Sequence, residues 1–463
     1  MDSSAVEHPS APQQRQTRLP SRVTLVLIGA TLTAALGGLL FGFDTAVIAG
    51  TTQALMQVFH LTPATLGVTV SSALWGTILG ALFAGYSGER WGRRDSLRLM
   101  AALYLISSIG CALSWSWSSL LVFRIVGGIG IGGSSVLGPI YIAEIAPATL
   151  RGRLVGFFQF NIVVGILLAY FSNYIVSTQH LGAAEWRWQL SIPALPSALF
   201  LVLLFMIVRS PRWLVEANRL EEARAALEKI GGTDPAAELI YIVESVKTER
   251  QSATGRLFTK ANRLPMFLAV SVALFSQFSG INAVLYYMND IFGMAGYSKS
   301  SSGLQAVTVG ATNLLFTALA MCVIDKIGRK ALLLIGSVGM ACTLAGVAAI
   351  FATHHHQAWL VWLLIAFCAS FSFSLGAVVW VYISEVFPNG VRAQGQSLGS
   401  LAHWAMNAII SGVFPMFAAH SGASPFVFFA GMMVVQFLVV LFIYPETKNV
   451  SLEDMRLRME SPA

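Results

Sequence analysis

Two ionisable side chains stand in stretches that are otherwise almost wholly apolar. Asp44 lies in Gly42-Phe-Asp-Thr45 and Arg124 in Phe123-Arg-Ile-Val126. A charge placed inside a membrane is costly and by default marks a functional position. Desolvation and a nearby cation act on a carboxylate in opposite directions. A protein that changes the water access of Asp44, or its distance from Arg124, can therefore load and release a proton there. A second set of outliers is polar but uncharged: Gln159, Gln277, Asn282, Asn313, His403 and Asn407. Side-chain amides both donate and accept, as hydroxyls do, so they suit a neutral polyol. Phe41, Trp380 and Trp404 offer flat apolar faces for the C–H side of a pyranose. Gly280 stands between Gln277 and Asn282, where a helix can unwind locally over a cavity.

The elements that must carry these residues follow from composition. Of 463 residues, 56% are hydrophobic and 11% charged, against about 25% charged in soluble domains. Apolar runs recur along the chain, each long enough for the roughly 20 residues that cross a hydrocarbon core as a helix. No strand-like alternation over about 10 residues suggests a barrel. The reading is an all-α membrane protein with spans near 23–50, 66–87, 97–115, 120–146, 154–176 and 189–208. A second set lies near 264–292, 303–325, 331–352, 358–386, 396–419 and 424–444. Residues 1–22 form a polar, disordered terminus, 209–263 a linker with surface helices near Leu220–Ile230 and Pro235–Arg250, and 445–463 a tail. Two six-helix bundles, 23–208 and 264–444, result. The loops after even-numbered spans hold most of the Arg and Lys, which places them and both termini in the cytoplasm.

The chain also repeats itself. Gly88-Glu-Arg-Trp-Gly-Arg-Arg94 returns as Asp325-Lys-Ile-Gly-Arg-Lys330. Glu144-x-x-Pro147-x-x-x-Arg151 returns as Glu385-x-x-Pro388-x-x-x-Arg392, and Ser210-Pro-Arg212 has an echo in Pro445-Glu-Thr447. Three pairs in register indicate a parallel duplication, which suits a carrier rocking about a central site. Arginine forks pair with carboxylates at helix ends. Glu89, Arg90, Arg93, Glu144 and Arg151, with Asp325, Arg329, Glu385 and Arg392, are read as an ion-pair gate that holds the cytoplasmic side closed.

These motifs resemble the sugar porter branch of the major facilitator superfamily. The matching segments are Gly85-x-x-x-Glu89-Arg90-x-Gly92-Arg93-Arg94, Arg124-x-x-Gly-Gly-x-Gly-x-Gly132, Ser210-Pro-Arg-Trp-Leu214, Gly280-Ile-Asn282 with Tyr286-Tyr287, and Pro445-Glu-Thr-Lys448. They cover residues from about 23 to 455. The resemblance implies a major facilitator fold of twelve transmembrane helices. It places Gln159, Gln277, Asn282, Tyr286, Asn313 and Trp380 on sugar-contacting positions. It pairs Asp44 with Arg124, since proton-coupled members carry Asp there and facilitative glucose transporters commonly Asn. Two departures bear on substrate choice: Ser276-Gln277 where the family often has Gln-Gln, and His403 where relatives often have Gln or Asn.

The expectation is a proton-coupled monosaccharide symporter for a hexose or pentose, multi-pass in the plasma membrane (the inner membrane of a bacterium) and functional as a monomer. A uniporter with Asp44 as structure only, and a non-transporting sugar sensor, are the alternatives. The net charge of +7 reflects topology signals in short loops rather than nucleic-acid binding. The scattered cysteines and the solvated His354–His356 show no metal-site spacing. No cofactor is expected, and no HExxH or GxSxG points to an enzyme.

Overall fold

A computed structural model describes residues 24–147, 149–231, 234–252 and 257–448. The first group of helices comprises α1 (Leu25–Val47), α2 (Thr52–Phe59), α3 (Pro63–Arg90), α4 (Arg93–Ala112), α5 (Trp117–Ile145), α6 (Arg151–Thr178), α7 (Glu185–Ser191) and α8 (Ala194–Leu203). Three short helices follow: α9 (Pro211–Glu216), α10 (Leu220–Ile230) and α11 (Pro235–Ser252). The second group comprises α12 (Arg263–Phe278), α13 (Ile281–Tyr286), α14 (Met288–Met294), α15 (Lys299–Ile327), α16 (Arg329–Thr353), α17 (Leu360–Phe373), α18 (Leu375–Glu385), α19 (Arg392–His420) and α20 (Ser424–Phe442). Eleven of the described helical stretches are long and apolar enough to cross a membrane. The described residues thus form an all-helical, multi-span architecture.

Local sequence fixes several boundaries. Thr62 and Ser116 close capping boxes at the starts of α3 and α5, and Pro63 occupies the first turn of α3, where its missing N–H costs nothing. Ser210 caps α9 by accepting from the Trp213 N–H, with Pro211 in the first turn. The expected sixth span differs most. Its helix begins at Glu185, ends at Leu203 and is broken before Ala194, because Pro193 and Pro196 interrupt the backbone ladder. The tenth expected span is likewise two helices, parted at Ser374. The short α2 and α9 were not foreseen, since neither carries a long apolar run.

Packing sorts the helices. α3 lies on α5, α1 on α6, and α4 on both α5 and α8; α16 lies on α17 and α20, α12 on α19, and α15 on α17. The groups meet through α3 against α19 and α6 against α15. Several of these meetings lie toward the side opposite the charged loops. A Cβ on Gly67 would fall 1.8 Å from the Gly412 carbonyl oxygen. The Tyr170 hydroxyl donates to Leu285 O at 2.7 Å, and Lys299 Nζ pairs with Glu185 at 2.7 Å. Cys111 and Cys368 are buried in packing, whereas Cys322 and Cys342 are exposed; all four are free thiols.

Candidate functional site

Phe41, Gln159, Gln277, Asn282, Tyr286, Asn313, Trp380, His403, Trp404 and Asn407 line one cavity of about 830 Å³, including its open mouth. Both groups of helices contribute walls. α1 brings Phe41 and α6 Gln159; α12 and α13 bring Gln277, Asn282 and Tyr286, and α15 brings Asn313. α18 brings Trp380, and α19 brings His403, Trp404 and Asn407. Phe41 and Trp404 meet across the two groups at 5.3 Å between ring centroids. The break between α12 and α13 falls at Gly280, whose φ of +79° is left-handed, a conformation that only glycine adopts cheaply. A side chain there would also strike the Phe429 ring. The break lets Gln277 and Asn282 turn toward each other.

The polar lining is already partly committed. Gln277 Nε2 lies 2.9 Å from His403 Nε2 and 3.2 Å from Nδ1, and Gln277 Oε1 accepts from Asn282 Nδ2 at 2.9 Å. Asn313 Oδ1 accepts from the Ser372 hydroxyl at 2.7 Å. Asn407 Nδ2 donates to the Tyr286 hydroxyl at 3.4 Å and its Oδ1 accepts from Ser411 at 3.1 Å. Each amide has about four hydrogen-bonding sites. Within the described bonds, Asn282 Oδ1, Asn313 Nδ2 and the whole Gln159 amide therefore remain available to a ligand. Two of these groups accept and two donate, which matches hydroxyls that do both. The Trp380 ring lies tilted against His403 at 4.9 Å between centroids and is 37% exposed, an accessible apolar wall.

Sequence reasoning missed Thr45, Thr317, Phe371 and Ser372, which also line the cavity, as does Ser276. A signal existed for two of them. Thr317 follows Asn313, and Thr45 follows Phe41, by four residues, one turn on the same face. Phe371 and Ser372 come into view through the α17–α18 break, which no residue type announced.

Asp44 lies one residue before the cavity-lining Thr45, and Arg124 is buried in α5. Arg124 acts on Asp44 electrostatically, yet no direct ion pair joins them among the described residues. Instead Arg124 Nε donates to Thr69 O at 3.0 Å and Nη2 to Val70 O at 3.4 Å, both on α3. The pairing implied by the family resemblance is thus a through-space one in this conformation. Tyr286 feels both charges and approaches Thr45 and Asn407, so it stands between the charged pair and the amide-lined wall.

On the charged-loop side, the duplicated motifs build the same contact twice. Arg93 Nη2 meets Glu144 Oε1 at 2.9 Å, and Arg329 Nη2 meets Glu385 Oε1 at 2.7 Å. Each arginine follows a helix-capping glycine with positive φ, Gly92 at +87° and Gly328 at +101°. A Cβ on Gly92 would strike the Trp213 ring, and one on Gly328 the Glu446 carboxylate. Glu446 also accepts from the backbone N–H groups of Arg329 and Lys330 at 3.0 Å each. The segments after the sixth and twelfth expected spans therefore cover equivalent turns. Both ion pairs stay inside one group of helices; neither bridges the two groups.

The remaining predicted gate residues do not join these pairs. Glu89 is exposed and offers its backbone carbonyl to Trp213 Nε1 at 2.9 Å. Arg90 lies over the Tyr86 ring. Arg151 is exposed and faces Glu238 of α11. Nε and Nη2 of Arg392 are buried and have no partner among the described residues. The side chain of Asp325 lies outside the described residues.

Residues 30–458 match the family described as sugar (and other) transporter. The chain is 36% identical to the D-xylose-proton symporter of Escherichia coli, over 94% of this chain and 96% of the relative. It is 37% identical to the arabinose-proton symporter of Bacillus subtilis, over 95% and 96%. It superposes on the inward open conformation of the xylose transporter XylE from E. coli with a TM-score of 0.83 at 36% identity, covering 93% of this chain and 99% of that one.

Proposed function

This chain belongs to the sugar transporter family, and from that premise we propose that it is a proton-coupled monosaccharide symporter working by alternating access. The observation that carries the reading is the cavity itself. It lies between the two groups of helices, its walls are amides and aromatics, and the carboxyl of Asp44 sits one residue from its lining. Relatives of almost equal similarity are symporters for D-xylose and for arabinose, which supports a pentose or hexose substrate without choosing one.

The two groups are the halves 23–208 and 264–444, with 209–263 as cytoplasmic linker and both termini in the cytoplasm. The halves touch on the outer side, and the cavity is entered from inside. Sugar hydroxyls engage Gln159, Asn282, Asn313 and His403, while Phe41, Trp380 and Trp404 hold the apolar face. Gln277 positions His403 and Asn282. Asn407 positions Tyr286. Asp44 takes a proton when its side of the cavity faces outside water and releases it inward, with Arg124 as the cation whose distance is tuned. Arg93–Glu144 and Arg329–Glu385 brace the cytoplasmic ends of each half. Arg392 Nε and Nη2, unpartnered here, gain partners when the inner side shuts. The unit of transport is one chain in a lipid bilayer.

One proton suffices for accumulation. A charge crossing about 100 mV yields about 2.3 kcal/mol, and one pH unit adds about 1.4 kcal/mol. Together they support a roughly five-hundredfold gradient of a neutral sugar. The test is Asp44→Asn in proteoliposomes, with a panel of labelled sugars and an imposed proton gradient. Uphill uptake is expected to vanish while counterflow exchange persists. Concentrative uptake by the variant at the wild-type level would overturn the coupling and leave a uniporter or a different proton site.

A further inference from the structure

Asp290 is an acidic residue that the transport reading does not use. It sits on α14, at the outer end of the second half, where that helix packs against the 3-10 turn Ile48–Gly50 that follows α1 in the first half. The side chains of Thr52 and Gln53 approach its carboxyl from across this contact. Gln53 Nε2 lies 3.3 Å from where a Cβ on Gly293 of α14 would stand. Asp290 Oδ2 is sealed from solvent and has no hydrogen-bond partner, as has Oδ1 of the adjacent Asn289.

No cation answers this carboxyl. Among the described residues Asp290 forms no ion pair, and residues 51–59 contain no titratable side chain. His60 closes α2 in the loop beyond. α15 and α13 also pack against α14; on α15 Lys299 is committed to Glu185 at 2.7 Å, and α13 carries Tyr286, a neutral phenol bonded to Asn407. Tyr287 is the titratable group in electrostatic contact with Asp290. Arg124 acts on Tyr287 but not on the carboxyl. An ionised carboxylate buried without a counter-charge or full hydrogen bonding carries a large free-energy penalty. Such a group survives in a closed contact by becoming neutral.

We propose that Asp290 is a second protonation site, which locks the outer gate: the gate closes on the neutral carboxyl and opens on the carboxylate. Opening admits water between α14 and the Ile48–Phe59 segment, and the O–H bond breaks with the proton passing to that water as hydronium. Closing takes a proton back from the same outer solution. The cycle at Asp290 moves no net charge across the bilayer, unlike that at Asp44. It makes external acidity favour the conformation closed to the outside, so sugar captured from an acidic medium is committed inward. The inference rests on the alternating-access reading given above.

The experiment measures hydrogen–deuterium exchange of peptides covering residues 48–59 and 281–297 in the full chain in lipid nanodiscs. An Asp44→Asn chain is compared with an Asp44→Asn/Asp290→Asn chain at each pH, which cancels the intrinsic pH dependence of exchange and removes Asp44. At pH about 5 the two are expected to exchange alike. As the pH rises the chain that retains Asp290 is expected to open more, by up to about tenfold per pH unit. Asp290→Glu is expected to keep the pH dependence, and counterflow by Asp290→Asn shows that this variant folds. Equal exchange at pH about 8, or greater opening of the Asn chain, overturns the proposal. Failure of the symport reading would appear separately, as uphill uptake surviving Asp44→Asn.

Discussion

Gly67→Leu is expected to prevent the outer side from closing. Gly67 on α3 and Gly412 on α19 form the tightest crossing between the two halves: a Cβ on Gly67 would lie 1.8 Å from Gly412 O and 2.8 Å from its carbonyl carbon. Real Cβ contacts essentially never fall below 3.0 Å, so α3 and α19 must part by about 1 Å or more, and the obstacle is backbone that no rotamer change can remove. Overpacking of this kind costs about 1–3 kcal/mol, more when backbone must move. The cost falls only on the conformation in which the two helices touch. At 1.4 kcal/mol per tenfold, the closed-outside population drops by roughly 5- to 150-fold. Counterflow in proteoliposomes, which needs both conformations, should fall by a similar factor. Sugar binding to the outward-open form, read by tryptophan fluorescence of purified protein, should persist. Gly85→Leu on the same helix meets nothing within 4 Å and serves as the control that exchanges normally. Wild-type counterflow by Gly67→Leu would refute the assignment of this crossing as the outer closure.

Two further outcomes follow from the buried contacts. Glu385→Gln removes the carboxylate that Arg329 Nη2 meets at 2.7 Å and should lower stability by about 1.5–3 kcal/mol, the worth of a hydrogen bond to a charged group. Glu144→Gln should cost less, because Arg93 Nη1 keeps Glu216 at 3.1 Å; thermal unfolding in detergent checks both. His403→Phe removes the ring nitrogens that meet Gln277 Nε2 and leaves that buried amide unsatisfied. Sugar affinity should weaken by about 1.5–3 kcal/mol, or 10- to 150-fold, with proton-to-sugar stoichiometry unchanged in a coupled flux assay.

The spans and the duplication were legible because lipid removes ambiguity: a continuous apolar run of some 20 residues has one stable form. The described helices accordingly begin and end within a few residues of expectation. Breaks were legible only where a residue type requires one. Gly280 announced the α12–α13 break, but Ser374 did not announce the α17–α18 break, because serine sits readily in a regular helix and its hydroxyl here bonds back to Ser370 O at 2.6 Å. The amides converged on one cavity because a polar side chain in a span has few places to go. Partnerships were less legible. The sequence places Glu144 and Arg151 one loop apart, yet the pair that forms is Arg93–Glu144, since the arginine at a helix start after a left-handed glycine points along the neighbouring helix end. The pairing of Arg124 with Asp44 was implied by the family resemblance rather than by any residue-type argument. Backbone carbonyls of α3, invisible to a residue-type argument, satisfied the arginine instead.

The duplication explains why the two halves can keep matched bracing while dividing the chemistry. Arg93–Glu144 covered by Trp213 and Arg329–Glu385 covered by Glu446 are one device built twice, and a rocking motion needs both halves stiff at the same end. The site obeys no such symmetry. Asp44 and Arg124 belong to the first half and most of the polar lining to the second. A transporter whose proton and sugar sat wholly on separate rigid bodies would couple them only through the gap between those bodies. Here Tyr286 crosses that gap: it belongs to α13, is held by Asn407 of α19, and feels Asp44 and Arg124 of the first half. Because α13 is freed from α12 by the Gly280 break, it can shift without dragging the bundle behind it. On the symport reading, α13 is thus a segment that touches both the proposed proton site and the proposed sugar wall, as coupling of proton to sugar requires.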